Sequence, residues 1–227
     1  HEMAMIAAKN HENGMRNPHA HMQKDFGIDF CNTISDKNPR VAGPLRRTDC
    51  SLISDGAAAI VLADVETAAG LARGIGFRAR AQAGDLLALS RRDPIAFEGA
   101  HRAWAAALAR AGLAIHDLDL VETHDCFTIA EMIEYEAMGL APAGQGWRAI
   151  RDGVTRFDGA LPVNPSGGLK SRGHPIGATG VSQHVMAAMQ LMAEGGAMQV
   201  PDAALAGVFN MGGAAVANYC SILERVR

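Results

Sequence analysis

Seventeen residues, Asn164 to Gly180, read NPSGGLKSRGHPIGATG and hold five glycines, two prolines and one histidine. Glycine lets backbone pass where a side chain would clash. Proline fixes its own φ and pushes the residue before it toward extended geometry. The Gly-His-Pro core therefore holds His174 in a set approach. A stretch this rich in helix and strand breakers belongs in a structured loop, and a fixed imidazole inside it marks the segment as a candidate active-site loop.

The chain around this loop alternates between strand and helix periods, which gives an α/β fold class. The run after Ser54, Ser-Asp-Gly followed by AAAIVLAD to Asp64, reads as a buried strand. A short Ala-rich helix follows over Val65 to Ala72, and Phe77, Ala79, Ala81 and Ala83 alternate with Arg78, Arg80 and Gln82 as in a half-buried strand. A domain boundary is placed near Arg73, giving units 1–72 and 73–227. Between Asp93 and Ala111 the residues Phe97, Ala100, Trp104, Ala107, Leu108 and Ala111 recur at helical spacing, and Gly112 sits where a C-cap glycine belongs.

Leu118 to Glu122 reads as a strand, and Thr128-x-x-Glu131 as a capping box starting a helix toward Gly139. His124-Asp125-Cys126-Phe127 therefore falls in a strand-to-helix loop, where α/β proteins place their sites. Val181, Val185, Ala188, Met189 and Met192 make one helical face ending near Gly195. Two apolar strands, Ala203 to Phe209 and Ala214 to Leu223, close the chain around a glycine turn at Asn210 to Gly213. Residues His1 to Asp49 are rich in turn formers and read as loop with short helices.

Composition narrows the function classes. Charged residues make up 20% and hydrophobic ones 48%, so the chain can bury a core. A net charge of −3 with no long basic run gives no nucleic-acid face, and Arg46-Arg47 and Arg91-Arg92 stay unassigned. No apolar run approaches the roughly 20 residues that span a bilayer. The four cysteines, Cys31, Cys50, Cys126 and Cys220, lack CxxC spacing, which argues against zinc or a disulfide framework and for a reducing, cytoplasmic setting. His11, His19 and His21 match no standard ligand spacing, so no metal is expected. The chain opens at His1 without a leader pattern, and the reading is that it begins inside a longer gene product.

A thiol reacts as thiolate, and an imidazole nearby changes how readily it ionises. Cys126 and His174, each on a loop of its own, form a candidate pair. Cys220 lies in an apolar strand and reads as core.

Two motifs in order carry a resemblance. NPSGGLKSRGHPIGATG is similar to the catalytic-histidine loop of the thiolase superfamily. ETHDCFTIAEMIEYEAMGLAPAGQG, Glu122 to Gly146, resembles the HDCF segment of the sterol-carrier-protein-linked thiolases. The resemblance implies a layered αβαβα fold of two similar halves, of which this chain is the C-terminal half plus the end of the N-terminal one. It also implies acyl transfer between coenzyme A thioesters, without cofactor or metal, in a homodimer or homotetramer. Carried over, Cys126 is the acid/base at the α-carbon. His174 activates the nucleophile, His124 serves one oxyanion site, and the Gly212 backbone N–H serves a second. Ordinary thiolases place their second cysteine in a C-terminal CxG, whereas Asn210-Met211-Gly212 has none, which favours the HDCF branch.

The family's nucleophilic cysteine belongs to an N-terminal segment with no counterpart here, and neither Cys31 nor Cys50 has its context. It is supplied by an N-terminal half of the same product, by another polypeptide, or not at all; the first is favoured. The alternatives are a thiolase-like retro-aldolase or acyltransferase working with a small zinc-ribbon acyl-CoA-binding partner, and a non-catalytic acyl-CoA or lipid-binding protein.

Overall fold

The computed structural model describes residues 1–226. In chain order its elements are α1 (Glu2–Arg16), α2 (Gly27–Asn32), the ribbon β1 (Arg40–Ala42) with β2 (Leu45–Arg46), and α3 (Val65–Ala69). There follow β3 (Ile75–Gly84), α4 (Glu98–Ala111), β4 (Leu120–Glu122), α5 (Thr128–Ala137) and α6 (Gly146–Arg151). Then come α7 (Gly168–Ser171), α8 (Thr179–Leu191), β5 (Leu205–Gly212) and β6 (Ala217–Arg225).

The main sheet has the order β3-β6-β5-β4. β6 runs antiparallel to both β3 and β5, while β4 is parallel to β5, so the fold is α/β with a mixed sheet. Period-2 alternation splits β5 and β6 between two cores. Phe209, Met211, Cys220 and Ile222 join the α4 residues Ala100, Ala103, Trp104 and Ala107 on one face. Ala206, Val208 and Leu223 join Leu120 and the α8 residues Ala187 and Leu191 on the other. A sheet covered on both faces needs strands apolar at nearly every position, which is what β5 supplies. Trp104, 1% exposed, stacks on Phe209 with ring centroids 5.9 Å apart, and a buried aromatic pair of this kind is worth about 3–5 kcal/mol against truncation to alanine.

Several expectations hold: the strand at Phe77 to Ala83, which alternates from Ala79 onward while Phe77 is exposed before a register shift, the α4 face with Gly112 closing the helix at φ 68°, and the β4–loop–α5 order. Cys220 is core, 1% exposed.

Others are corrected. Glu2 to Arg16 form one 15-residue helix where loop with short helices was expected. Its buried face adds Lys9, Asn10, His11 and Asn13 to Ala4, Ile6 and Ala7, so no apolar period runs the length of the helix. The strand expected over Ser54 to Asp64 does not form; Val61 and Leu62 are 97% and 70% exposed. A β-branched run becomes a strand only when a neighbour takes its backbone hydrogen bonds, and none lies beside it among the described residues.

The Thr128–Glu131 capping box also fails. The Thr128 hydroxyl donates to Asp49 and Glu131 turns into a buried network, although the helix starts where expected. The buried stripe of α8 is Gln183, Met186, Ala187, Gln190 and Leu191, not the Val181–Met192 face. Gln183 and Gln190 are tolerated inside because their amides donate to the carbonyls of Phe209 and Met198. The hairpin turn sits at residues 213–216, with Gly213, Ala214 and Ala215 all at positive φ, so Asn210 to Gly212 lie within β5.

Candidate active site

The end of β4 delivers the HDCF turn, and Asp125 fastens it to the rest of the molecule. Its buried carboxylate accepts bonds from the backbone N–H groups of Leu169 (2.6 Å) and Lys170 (3.1 Å) and from the Asn10 amide (2.9 Å). One side chain thus ties the HDCF turn to α1 and to α7, which leads into the GHP loop. The contact needs Gly168, at φ 58°, because a Cβ there would stand 2.4 Å from the Asp125 carboxylate.

Beneath Asp125 lies a dry polar layer. Lys9 donates to Glu131 (2.5 Å) and to the Val163 carbonyl (2.7 Å), and Asn10 and the Tyr135 hydroxyl also donate to Glu131. Buried polar groups this well paired specify one arrangement of the elements that carry them.

Across from the HDCF turn, the GHP loop is held from outside. The His174 backbone N–H donates to Ser54 Oγ at 2.9 Å. Gly173 adopts φ 122°, and a Cβ there would meet the His21 ring at 2.8 Å and Ser54 Oγ at 3.0 Å. Only glycine lets the loop pass between them. The Thr179 hydroxyl donates to the Pro175 carbonyl, so its oxygen accepts from His174 Nδ1 at 2.7 Å. That assigns the ring's proton to Nδ1 and leaves Nε2 bare.

The two loops meet at one pocket of about 440 Å³. Its lining includes Cys126, His124, His174 and Gly212, so all four residues singled out from sequence come together. The His124 and His174 rings sit edge to face with centroids 5.1 Å apart. Phe97, Phe127, Ile129, Ile133, Ile176 and Met211 supply apolar walls. Phe97 reaches its place from a left-handed backbone, φ 44°, at the start of α4, a strain of about 1–3 kcal/mol of the kind that collects at functional sites.

The pocket keeps its reactive groups uncharged. Burial pushes the Cys126 thiol up to about 12, with the Glu134 and Asp125 carboxyls adding to the effect. Burial takes His124 down to about 4, the His174 ring and the Arg172 guanidinium adding to it against the bond to Asn210. His174 is lowered by burial and by Arg172. A neutral thiol with high proton affinity is a poor nucleophile at pH 7 but a strong base once deprotonated, which suits proton transfer.

The remaining cysteines stay out of the pocket. Cys31 is fully buried beside Ala4 and Ala7, and the Cys50 thiol contacts the Arg46 carbonyl. No cluster of three or more potential metal ligands occurs among the described residues. His11 is buried apart from His19 and His21, edge-on to Phe26.

Residue-by-residue reading missed the supporting shell. Asn210 Oδ1 lies 2.6 Å from His124 Nδ1, and Asn210 was visible in the sequence only as a turn former. Thr179 stood inside the glycine-rich stretch without a role, and Ser54 lies 120 residues from the histidine that it holds.

Fold and site together define an α/β protein whose β4–α5 turn and α7–α8 loop bring a cysteine and two histidines to an apolar pocket. A family model described as "Thiolase C-terminal domain-like" matches residues 81–225, and the chain belongs to that family. The relatives fit. An "Acetyl-CoA acetyltransferase" from Methanothermobacter thermautotrophicus is 42% identical over 93% of this chain and 55% of its own length. "Sterol carrier protein 2" from Bos taurus is 35% identical over 92% of this chain and 39% of its own length. The chain thus spans about half or less of the relatives it matches. A solved structure described as "Ltp2-ChsH2(DUF35) aldolase" superposes over 100% of this chain and 58% of its own, with a TM-score of 0.85. At 19% identity that likeness is one of fold alone. Among the described residues no helix is long and apolar enough to cross a membrane.

Proposed function

We propose that this chain is the acid/base half of an acyl-CoA acyltransferase that cleaves 3-ketoacyl-CoA with coenzyme A or condenses two acyl-CoA units. The observation that carries the reading is the meeting of Cys126 and His124 from the HDCF turn, His174 from the GHP loop and Gly212 from the end of β5 at one apolar pocket. In condensation the Cys126 thiolate takes the α-proton of the acyl group; in thiolysis the thiol returns it. His174 Nε2, bare and uncharged, accepts the proton of the attacking thiol. His124 and the Gly212 N–H face the charge that develops on the thioester oxygens, and a prepositioned donor of this kind is worth about 3–4 kcal/mol. For His124 to donate through Nε2, the Asn210 amide turns so that its NH₂ meets Nδ1, a half-rotation that keeps the same contact.

The acyl-carrying nucleophile is placed outside these 227 residues, in the part of the relatives that this chain does not span. The substrates are coenzyme A thioesters, with no metal or further cofactor, and the working assembly is a homodimer or homotetramer in the cytoplasm. Cys126→Ala tests the site. It should retain coenzyme A binding while the exchange of acetyl-CoA α-protons in D₂O falls by about 10²–10⁴, and undiminished exchange sinks the role given to Cys126.

The same assay separates the other readings. A retro-aldolase that works with a small zinc-ribbon acyl-CoA-binding partner would show exchange only when that partner is present. A non-catalytic acyl-CoA or lipid binder would show none in the wild type.

A further inference from the structure

Behind the HDCF turn sits a carboxyl group that the mechanism above does not use. Glu134, one turn along α5 from Glu131, is fully buried. One of its oxygens accepts from the Thr123 hydroxyl, the His124 backbone N–H acts electrostatically on the same carboxyl, and Oε1 has no hydrogen-bond partner. Its contacts thus fall on the two residues that lead into Asp125 and Cys126.

The charge balance of this layer leaves Glu134 without a counter-ion. Four buried carboxyls, Glu122, Asp125, Glu131 and Glu134, face three buried cations, Lys9, Lys170 and Arg172. Lys9 is taken by Glu131 and by the Val163 carbonyl. Arg172 acts on Glu122 and Asp125, and Lys170 on Asp125. Buried Asp49 is paired with Arg46.

Around Glu134 itself the titratable groups are Asp125 and Cys126 on the turn and Glu131 on its own helix, where the Tyr135 hydroxyl is already committed. On the helices packed against α5, His101 of α4 contacts the Ala137 carbonyl, and Arg151 of α6 pairs with Glu2. Among the described residues no cation is left for Glu134. An ionised carboxylate with a bare oxygen in such a place costs several kcal/mol, so the neutral acid is the stable form.

We propose that Glu134 is a positioning residue for proton transfer at Cys126: as an uncharged carboxylic acid it holds the Thr123–His124 segment in place and keeps negative charge away from the thiol. Burial raises its proton affinity, with Glu131 and Asp125 adding to the effect, in keeping with that state. As pH rises and Glu134 ionises, the new charge opposes thiolate formation beside it. The part in proton transfer rests on the reading of Cys126 given above, but the coupling to the thiol is measurable without turnover.

The experiment is peptide-resolved alkylation of Cys126 by iodoacetamide from pH 7 to 10.5 in the full chain, wild type against Glu134→Gln. Glutamine keeps the shape and removes the charge. E134Q should react at the wild-type rate at pH 7 and about tenfold faster at the alkaline end, one unit of proton affinity being a factor of ten in thiolate. Equal rates at every pH overturn the coupling, and faster reaction already at pH 7 overturns the uncharged state.

If E134Q does not fold, Thr123→Val supplies the reading. It removes a donor that favours the ionised carboxyl, so Cys126 should again react faster at alkaline pH only, and an unchanged profile overturns the proposal. Absence of α-proton exchange in the wild type would end the acyltransferase reading while leaving this alkylation result to stand or fall by itself.

Discussion

Asp125→Ala is the substitution that most directly probes how the site is assembled. The carboxylate accepts from Leu169 N–H at 2.6 Å, from Lys170 N–H at 3.1 Å and from the Asn10 amide at 2.9 Å, with the side chain 1% exposed. Truncation removes the acceptor of three buried N–H bonds, although the Asn10 amide keeps its bond to Glu131. Each unpaired buried donor costs about 1–3 kcal/mol, and the vacated space admits about one water that can serve two of them. The one donor left unpaired sets the expected loss at about 2 kcal/mol, a sizeable share of the roughly 5–15 kcal/mol that holds a domain together. Urea unfolding followed by tryptophan fluorescence reads it, because Trp104 is buried against Phe209. With a slope of about 2 kcal/mol/M the midpoint should fall by about 1 M. Asp125→Asn, which keeps the volume and one acceptor, should lose about half as much. A midpoint within about 0.5 M of wild type for the alanine variant would refute the claim that this carboxylate pins the HDCF turn to α1 and α7.

What could be read in advance, and what could not, divides along a physical line. β3 and α4 bury apolar faces against apolar faces, so their periods of 2 and 3.6 were legible residue by residue, and β5 was legible as an apolar run. The meeting of Cys126 with His174 was legible too, but through the two motifs and not through spacing, since 48 positions of chain carry no geometry. Helix α1 escaped because the second half of its buried face, Lys9, Asn10, His11 and Asn13, is polar, and Lys9, Asn10 and Asn13 find their partners on α5 and on the loops before α7. Gln183 and Gln190 hid the true stripe of α8 for the same reason: each is stable inside only through a carbonyl far along the chain or beyond the helix. The Ser54–Asp64 run failed in the opposite sense. Its residues have the composition of a strand, yet pairing is a property of two segments, and composition describes one.

Two further outcomes follow from named contacts. Gly173→Ala should cut turnover by about 10², since a Cβ forced against His21 and Ser54 displaces the His174 backbone on a scale at which an ångström costs that much; steady-state kinetics with wild-type-like far-UV circular dichroism checks it, and unchanged turnover counts against the tight passage. The second concerns acid. His11 is fully buried, its ring nitrogens have no hydrogen-bond partner, and burial takes its pKa down to about 3. Its folded pKa thus lies below the unfolded value near 6.5, so between pH 6.5 and 3 the unfolded chain binds the extra proton and stability falls as pH falls. Glu122 and Glu134, whose proton affinity burial raises, pull the other way, so the wild-type curve mixes both signs. His11→Leu isolates one of them, because leucine forfeits no hydrogen bond and cannot take up the proton. The stability of the leucine variant relative to wild type should climb by about 1.4 kcal/mol for each pH unit from 6 down to 4, measured as urea midpoints across that range. A difference that stays flat would mean the ring is already charged, or already paired, inside the folded protein.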